Sequence, residues 1–548
     1  MRFSSLTFVL SSLLGVGLFS GCERVVPVEQ ANRAQILLVG NGAEPASLDP
    51  HIATGVPERS IIFALLEGLM RPHPETLAPM PGMAARYELT DDQKTYRFYL
   101  REDALWSNED PVTAHDFVFA YQRILSPRLG AQYASLLYCM ENAEAYHAGE
   151  IDDFARVGVK AISASVLEIT LNAPTPFFLS LIMHYTWFPV HAETILAHGG
   201  MTNLNNRWTR PGNFVGNGPF ILKSWQVKEV VTVEKNPDYY AATTVRLKGI
   251  HFYAVSNLNT EERMFRAGQL HITHALPTHK FPTYRRNQSP ALRVEPALGT
   301  YYYLFNTQRS PLNDPRVRQA LNLAIDRSSI IENVLKGNRS PAYTFTPPGT
   351  GGYTCSTAII EDIQSARKLL AEAGYPDGQG FPEQTLLYNS SEDHRILAEA
   401  IQGMWKAHLN IAVSLMNQEW KVYLETRKSR DFDIVRAGWL GDYNDPSTFL
   451  ELFTSQSGNN VSGWSNPEYD ALIASASRTI DRELRFNQFQ QAEALLLKEM
   501  PLMPIYFYNT TSLVHPAVRG WHGNLLDWHP YQSVYLDANF DARVALNL

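Results

Sequence analysis

The stretch Phe432-Asp-Ile-Val-Arg-Ala-Gly-Trp-Leu-Gly-Asp-Tyr-Asn-Asp-Pro446 places a cation inside a strand and an acid just past its end. Ile434, Val435, Ala437 and Trp439 are residue types that pack on a pleated surface, so 432–439 reads as a strand. Alternation puts Ile434, Arg436 and Gly438 on one face and Val435, Ala437 and Trp439 on the other. A guanidinium removed from water without an anion is costly, so Arg436 has to meet a carboxylate, a ligand or solvent. Gly438 leaves room on the same face for another backbone to approach. Gly441-Asp442-Tyr-Asn-Asp-Pro446 is a loop by its turn residues, and in open α/β sheets ligands gather beyond the carboxyl ends of strands. Arg436 and Asp442 could together grip a molecule that carries both charges. Read alone, they fit two unrelated structural ion pairs at least as well.

Other chemistry is sparse. The sequence has no Gly-x-Ser-x-Gly elbow, no His-Glu-x-x-His, no phosphate loop and no Cys-x-x-Cys. Gly40-Asn41-Gly42 begins like a dinucleotide fingerprint, but Pro45 stands where the third glycine belongs. The 16 histidines are scattered, and the pairs His271/His274 and His191/His198 suit surface or core as readily as a ligand. Cys139 and Cys355 lie 216 positions apart, match no metal-ligand spacing and read as unpaired thiols. No catalytic residue, metal or cofactor is expected. The 26 tyrosines and 10 tryptophans, many beside glycine and aspartate, suit a binding cleft.

A chain of 548 residues is too long for one core and should divide into domains. Hydrophobic content of 45%, charged content of 19% and a net charge of −8 without basic patches describe a globular protein with no affinity for nucleic acid. Arg2 followed by the apolar 3–18 reads as an export signal, too short and serine-broken for a good membrane span. Its end, Leu18-Phe19-Ser20-Gly21-Cys22, resembles a bacterial lipobox, with Phe19 in place of the usual leucine. On this reading 1–21 is removed, Cys22 carries lipid and 22–34 is a polar tether; the alternative is an ordinary secretory signal with Cys22 incidental. The mature chain would hold 46 basic and 55 acidic residues, net −9. No later apolar run reaches spanning length, so a lipid is the only anchor expected.

The elements that must position the charged strand follow from periodicity and caps. Strands are expected at 35–39, 96–100, 166–171, 220–222, 230–234 and 300–306, and helices at 59–69, 114–125 (capped by Thr113), 261–267 and from Asp314-Pro315 onward. From 362 the chain alternates: helix to 373, strand 385–388, helix 393–407, strand 411–416, helix 420–428, then the strand with Arg436. Such alternation predicts crossover units and a largely parallel sheet. Short strands are expected after Pro504.

Several motifs together resemble the oligopeptide-binding proteins of the peptide/nickel-type solute-binding family that serves ATP-driven importers. They are Ser47-Leu-Asp-Pro-His51 with Gly55-Val-Pro-Glu58, Thr95-Tyr-Arg-Phe-Tyr-Leu-Arg-Glu-Asp-Ala-Leu-Trp-Ser-Asn108 running into Pro111-Val-Thr-Ala-His-Asp-Phe117, Asn217-Gly-Pro-Phe220, Tyr301-Tyr-Tyr303, Asn313-Asp-Pro-Arg-Val-Arg-Gln-Ala-Leu321 and Asn417-Gln-Glu-Trp420, besides the stretch from Arg436 to Pro446. The resemblance implies a two-lobed α/β periplasmic-binding-protein fold of type II with an extra small domain. Lobe I would be 35–66, 191–298 and 510–548, the extra domain 67–190 and the opposing lobe III 299–509. It implies a monomeric, exported, lipid-anchored receptor that closes on short peptides and passes them to an inner-membrane ABC permease. A murein-peptide or signalling-peptide binder is the alternative on this scaffold, and a secreted peptidase the alternative from another class. By the same resemblance Asp442 takes the peptide ammonium, Arg436, Arg427 and His394 take C-terminal carboxylates of different peptide lengths, Val56 and Gly438 pair with the peptide backbone, and Tyr133, Tyr301 and Trp439 wall the pockets. Two departures stand out: a family carboxylate before Gly-Val-Pro is Thr54, and a disulfide found in some relatives would need cysteines at Gly299 and Leu440.

Overall fold

Two long strands run antiparallel through the middle of the molecule. Leu292–Phe305 and Leu502–Leu513 pair from Leu292 opposite Leu513 to Leu304 opposite Leu502. Their register slips between Pro296 and Thr300 and again between Tyr301 and Tyr302. Pro296 lacks a donor for the ladder, and Pro504 stands opposite Tyr302 at the second slip, the kind of irregularity that accommodates proline in a sheet. The short strands expected after Pro504 are therefore one strand of 12 residues, and 300–306 is the second half of another of 14. The computed structural model describes residues 27–418 and 420–540.

These two strands belong to a six-stranded sheet, ordered Ser340–Pro341, Leu502–Leu513, Leu292–Phe305, Ile434–Leu440, Gln384–Asn389, Val413–Gln418. The last three are mutually parallel, with Glu392–Leu409 and Trp420–Lys428 as crossover helices. The other three run antiparallel to their neighbours. The largely parallel sheet predicted from alternation thus holds for one half only, because the two long strands return from another part of the chain. A four-stranded sheet combines Ile36–Gly40 with Gly249–Tyr253, Val230–Lys235 and Phe220–Gln226. Bridges from Val39 to Ile272 and from Ile272 to Val514 bring the segment after the second long strand back to this sheet. A third, antiparallel sheet is built from Ala84–Leu89, Thr95–Leu100, Val166–Thr170 and Val159–Ser163.

Local chemistry explains most helix starts. The Asp116 carboxylate accepts from both the backbone N–H and the hydroxyl of Thr113, opening helix Ala114–Ile124. Asp314 and Asp362 cap Pro315–Leu323 and Ile363–Glu372. The helix expected at 59–69 instead spans Val56–Leu65, because Pro57 fits its first turn and Leu66 is extended. Part of the expected tether, Pro27–Ala34, is a helix that buries Val28 and Ala31 beside Leu38, with Val28 N–H donating to the Gly268 carbonyl. Cys139 and Cys355 are free, and burial pushes both thiols up to about 12.

Candidate ligand-binding site

Strand Ile434–Leu440 alternates as its sequence requires. Ile434 joins the core of Tyr301, Tyr303 and Tyr506, whereas Val435, Ala437 and Trp439 face the other core. One edge pairs with Leu292–Phe305 along the whole strand. The other edge pairs only through Ile434 and Val435, opposite Leu386 and Leu387. From Arg436 to Leu440 that edge has no strand partner among the described residues. The Tyr423 hydroxyl donates to the Arg436 carbonyl at its start.

Arg436 is half-buried in a nest of tyrosines. Its Nη2 donates to the Tyr508 hydroxyl at 2.9 Å, its Nη1 lies 3.4 Å from Asn389 Oδ1, and its guanidinium is 4.6 Å from the centre of the Tyr301 ring. Its Nε is buried without a partner. Among the described residues it makes no ion pair, so its charge is met by ring faces and a hydroxyl. His394 Nδ1 lies 3.3 Å from the Tyr301 hydroxyl, and burial with the Arg436 charge lowers its pKa to about 4. Arg427 is 5.6 Å from the Tyr423 ring centre and also has a buried, unpartnered Nε. Arg436 and His394 thus share one cluster of tyrosines, whereas Arg427 rests on Tyr423, whose hydroxyl meets the Arg436 carbonyl from the other core. Arg339, which motif reading missed because it falls in no recognised segment, joins the tyrosine cluster: its Nη1 donates to Asn509 Oδ1 at 2.6 Å and its guanidinium is 5.8 Å from the Tyr506 ring.

Asp442 lies past the strand end. Its backbone N–H donates to Thr448 Oγ1 at 3.2 Å, but its carboxylate has neither a hydrogen-bond donor nor a cation among the described residues. Burial raises its pKa to about 6. Tyr133 lies within electrostatic reach and has its phenol pKa raised by burial and then by the Asp442 charge. Gly438, Trp439, Asp442, Tyr133 and Phe177 line one cavity of about 1250 Å³ between strand Ile434–Leu440 and the segments around 132–139 and 172–181. Trp439 Nε1 is buried there without a partner.

Three expected placements differ in detail. Tyr301 is fully buried, stacked on Tyr506 at 4.7 Å, and supports Arg436 and His394 from beneath instead of walling a pocket. The space above Gly438 is already taken: a Cβ there would lie 2.6 Å from the Tyr508 hydroxyl and 3.2 Å from Arg436 Nη2. Val56 is not extended but opens helix Val56–Leu65, and Gly55 is the extended residue before it. Gly299 and Leu440, the positions of the absent disulfide, are direct cross-strand partners. Cys22 lies outside the described residues.

Sheets on both sides of a pair of continuous strands, with a large cavity against the end of one parallel strand, define a two-lobed α/β binding protein. The profile of the bacterial extracellular solute-binding proteins, family 5, matches residues 78–461, and the chain belongs to that family. It is 36% identical to the periplasmic oligopeptide-binding protein OppA of Salmonella typhimurium over 546 residues, covering 96% of each chain. Its fold is similar to that of the Escherichia coli murein tripeptide binding protein MppA (TM-score 0.77, 36% identity, 91% of this chain and 98% of that one). It is also similar to Haemophilus influenzae OppA in complex with RPPGFSPFR (TM-score 0.74, 36% identity, 92% and 99%).

Proposed function

We propose that this protein is a non-catalytic receptor that captures short peptides between two lobes and hands them to an ATP-driven permease. The observation that carries the reading is the pair of uncompensated opposite charges, Arg436 and Asp442, at the two ends of an open strand edge. An extended peptide has the complementary layout, an ammonium at one end, a carboxylate at the other and free main-chain donors and acceptors between. Main-chain pairing along the edge and a hydrated cavity for side chains give affinity with little regard to sequence. Arg436 and Asp442 are six positions apart, four of them within the strand, a span of at most about 20 Å. That limits a peptide engaging both ends to about six extended residues, less the reach of the two side chains. Arg427, His394 and Arg339 would extend the carboxylate site for other lengths.

In this reading lobe I comprises 35–66, 191–298 and 510–548, the extra domain 67–190 and lobe III 299–509. The boundaries at 298/299 and 509/510 fall inside the two long strands, whose register slips offer the hinge. The receptor is exported, monomeric and held to the membrane by lipid on Cys22. The match to a murein tripeptide binder at the same identity brings murein peptides into the same test.

Titration calorimetry with tri-alanine, its N-acetyl derivative and a murein tripeptide tests the proposal. The free-amine peptide binds and is recovered uncleaved; acetylation weakens binding by about a hundredfold or more, because it leaves a buried carboxylate alone. Equal binding of acetylated and free peptides removes Asp442 from the site.

A further inference from the structure

The cavity of about 1250 Å³ beside Asp442 is lined by five charged residues, Glu144, Asp442, Glu451, Asp470 and Arg478. Glu144 and Arg478 are exposed, where solvent and salt screen them, and the three half-buried ones are all acids. Asp470 serves the framework, with Oδ1 accepting from Ser455 N–H at 2.9 Å. Glu451 is less well met. Its Oε1 accepts from the Ser477 hydroxyl at 3.0 Å, and it makes no ion pair among the described residues. Arg485 is the guanidinium whose charge reaches it, but Arg485 is held by both Asp445 oxygens at 2.7 Å, and neither member of that pair lines the cavity. Burial outweighs these influences and raises the Glu451 pKa to about 7.

Geometry ties Glu451 to the ammonium site. Asp442 N–H donates to Thr448 Oγ1 at 3.2 Å, and Glu451 follows Thr448 by three residues, through the consecutive helical turns Ser447–Leu450 and Glu451–Phe453. Residues so spaced lie one turn apart, with their Cβ atoms about 5–6 Å from each other. Thr448, Asp442 and Glu451 line the same cavity. Its aromatic surface comes from Trp439 and from Phe177, which stacks on Tyr443 at 5.0 Å with the rings almost parallel. The walls therefore offer rings for an apolar stem and, about a helical turn beyond the ammonium site, a carboxylate without a cation for a charged head.

We propose that this cavity holds a subsite for a lysine or arginine side chain near the amino end of a bound peptide, with Glu451 as the counter-charge. The inference rests on the peptide-binding reading and adds a sign to it. A basic side chain completes the pairing of Glu451, whereas an acidic one would enter a space whose half-buried charges are all negative.

The test uses tri-alanine and its variants with lysine or methionine, of similar length, at each of the three positions. They are titrated at pH 8, where Glu451 is mostly ionised, into the unmutated protein and into Glu451→Gln. At one of the first two positions lysine should bind at least about tenfold more tightly than methionine, as expected for a charge-assisted pair removed from water. Glu451→Gln should narrow that ratio to within about twofold. If Glu451→Gln does not fold, Glu451→Asp, which draws the carboxylate back by one methylene, should cut the ratio severalfold. A ratio near one at every position, an equal gain at all three, or a ratio unchanged in the variant overturns the subsite. Binding of tri-alanine without any gain from lysine sinks the subsite and leaves the peptide reading standing; binding of none of the peptides sinks both.

Discussion

Replacing Asp442 by asparagine should stabilise the unliganded protein while damaging its function. The Asp442 carboxylate is raised from 3.8 to about 6 by burial, with no cation among the described residues to offset it. A carboxylate whose pKa is higher folded than unfolded opposes folding when charged. The cost is fully present above pH 6, about half present at pH 5, and gone below the unfolded pKa. About two units correspond to about 3 kcal/mol at most, and partial exposure of the side chain reduces this to about 1–2 kcal/mol. Asp442→Asn removes the cost, so at pH 7.5 the lobe that carries it should melt higher by about 2–4 °C per kcal/mol. The assay is calorimetric melting of both proteins without peptide at pH 7.5 and pH 5, followed by titration of free and acetylated tri-alanine. The variant should gain stability, gain less at the lower pH, and lose discrimination between the two peptides. An unliganded variant as stable as the parent, or less so, at pH 7.5 would mean that the carboxylate already has a partner and is not waiting for one.

Other predictions follow from the same geometry. His394, lowered to about 4 when no carboxylate is bound, should be raised by a peptide carboxylate, so peptides that reach it should gain affinity relative to peptides that do not as pH falls from neutral toward 4, protonation of Asp442 weakening both alike. His394→Gln should remove that trend, and identical pH profiles for every peptide length in parent and variant would exclude His394 from the site. Hinging about the two long strands should reduce the radius of gyration in small-angle scattering when peptide binds; no change with ligand demonstrably bound would contradict a closing cleft. Cys22→Ser should move the protein from the membrane fraction to the soluble exported fraction, and a parent already wholly soluble after export would exclude the lipid anchor.

Much of the scaffold was legible because local rules agreed with the fold. Thr113 with Asp116 and Asp314 with Pro315 each announce a helix start that the structure places within a residue. The face assignment of Arg436 and Trp439 needed only period two. The misses have physical causes. Helix Arg482–Glu499 has no simple apolar stripe, because its buried side includes Arg485, held by Asp445 at 2.7 Å, and Glu493, which accepts from Phe345 and Thr346 N–H and the Tyr353 hydroxyl. The fusion of segments around Pro504 depends on a register slip that only the partner strand reveals. Arg339 is invisible to motif reading because it falls in no recognised segment and meets Tyr506 and Asn509 only through the fold.

That distinction separates framework from site. Arg123 reaches Asp49 Oδ1 at 2.9 Å and also donates to the Met201 carbonyl, while Arg485 meets both Asp445 oxygens at 2.7 Å; these buried guanidiniums are fully matched. Removing one partner of such a pair strands the other, so they tie segments together and offer nothing to a ligand. Arg436 is surrounded instead by Tyr301, Tyr423 and Tyr508, which lower the cost of its burial without neutralising it. The Asp442 carboxylate is buried with no donor among the described residues. A framework carboxylate in place of the tyrosines would make the unliganded protein more stable and would compete with the peptide carboxylate for the same guanidinium. The tyrosine nest leaves Arg436 without a carboxylate partner among the described residues; on the proposed reading a peptide would complete the electrostatics of the cleft, and closure would be favoured most when both of its ends are present.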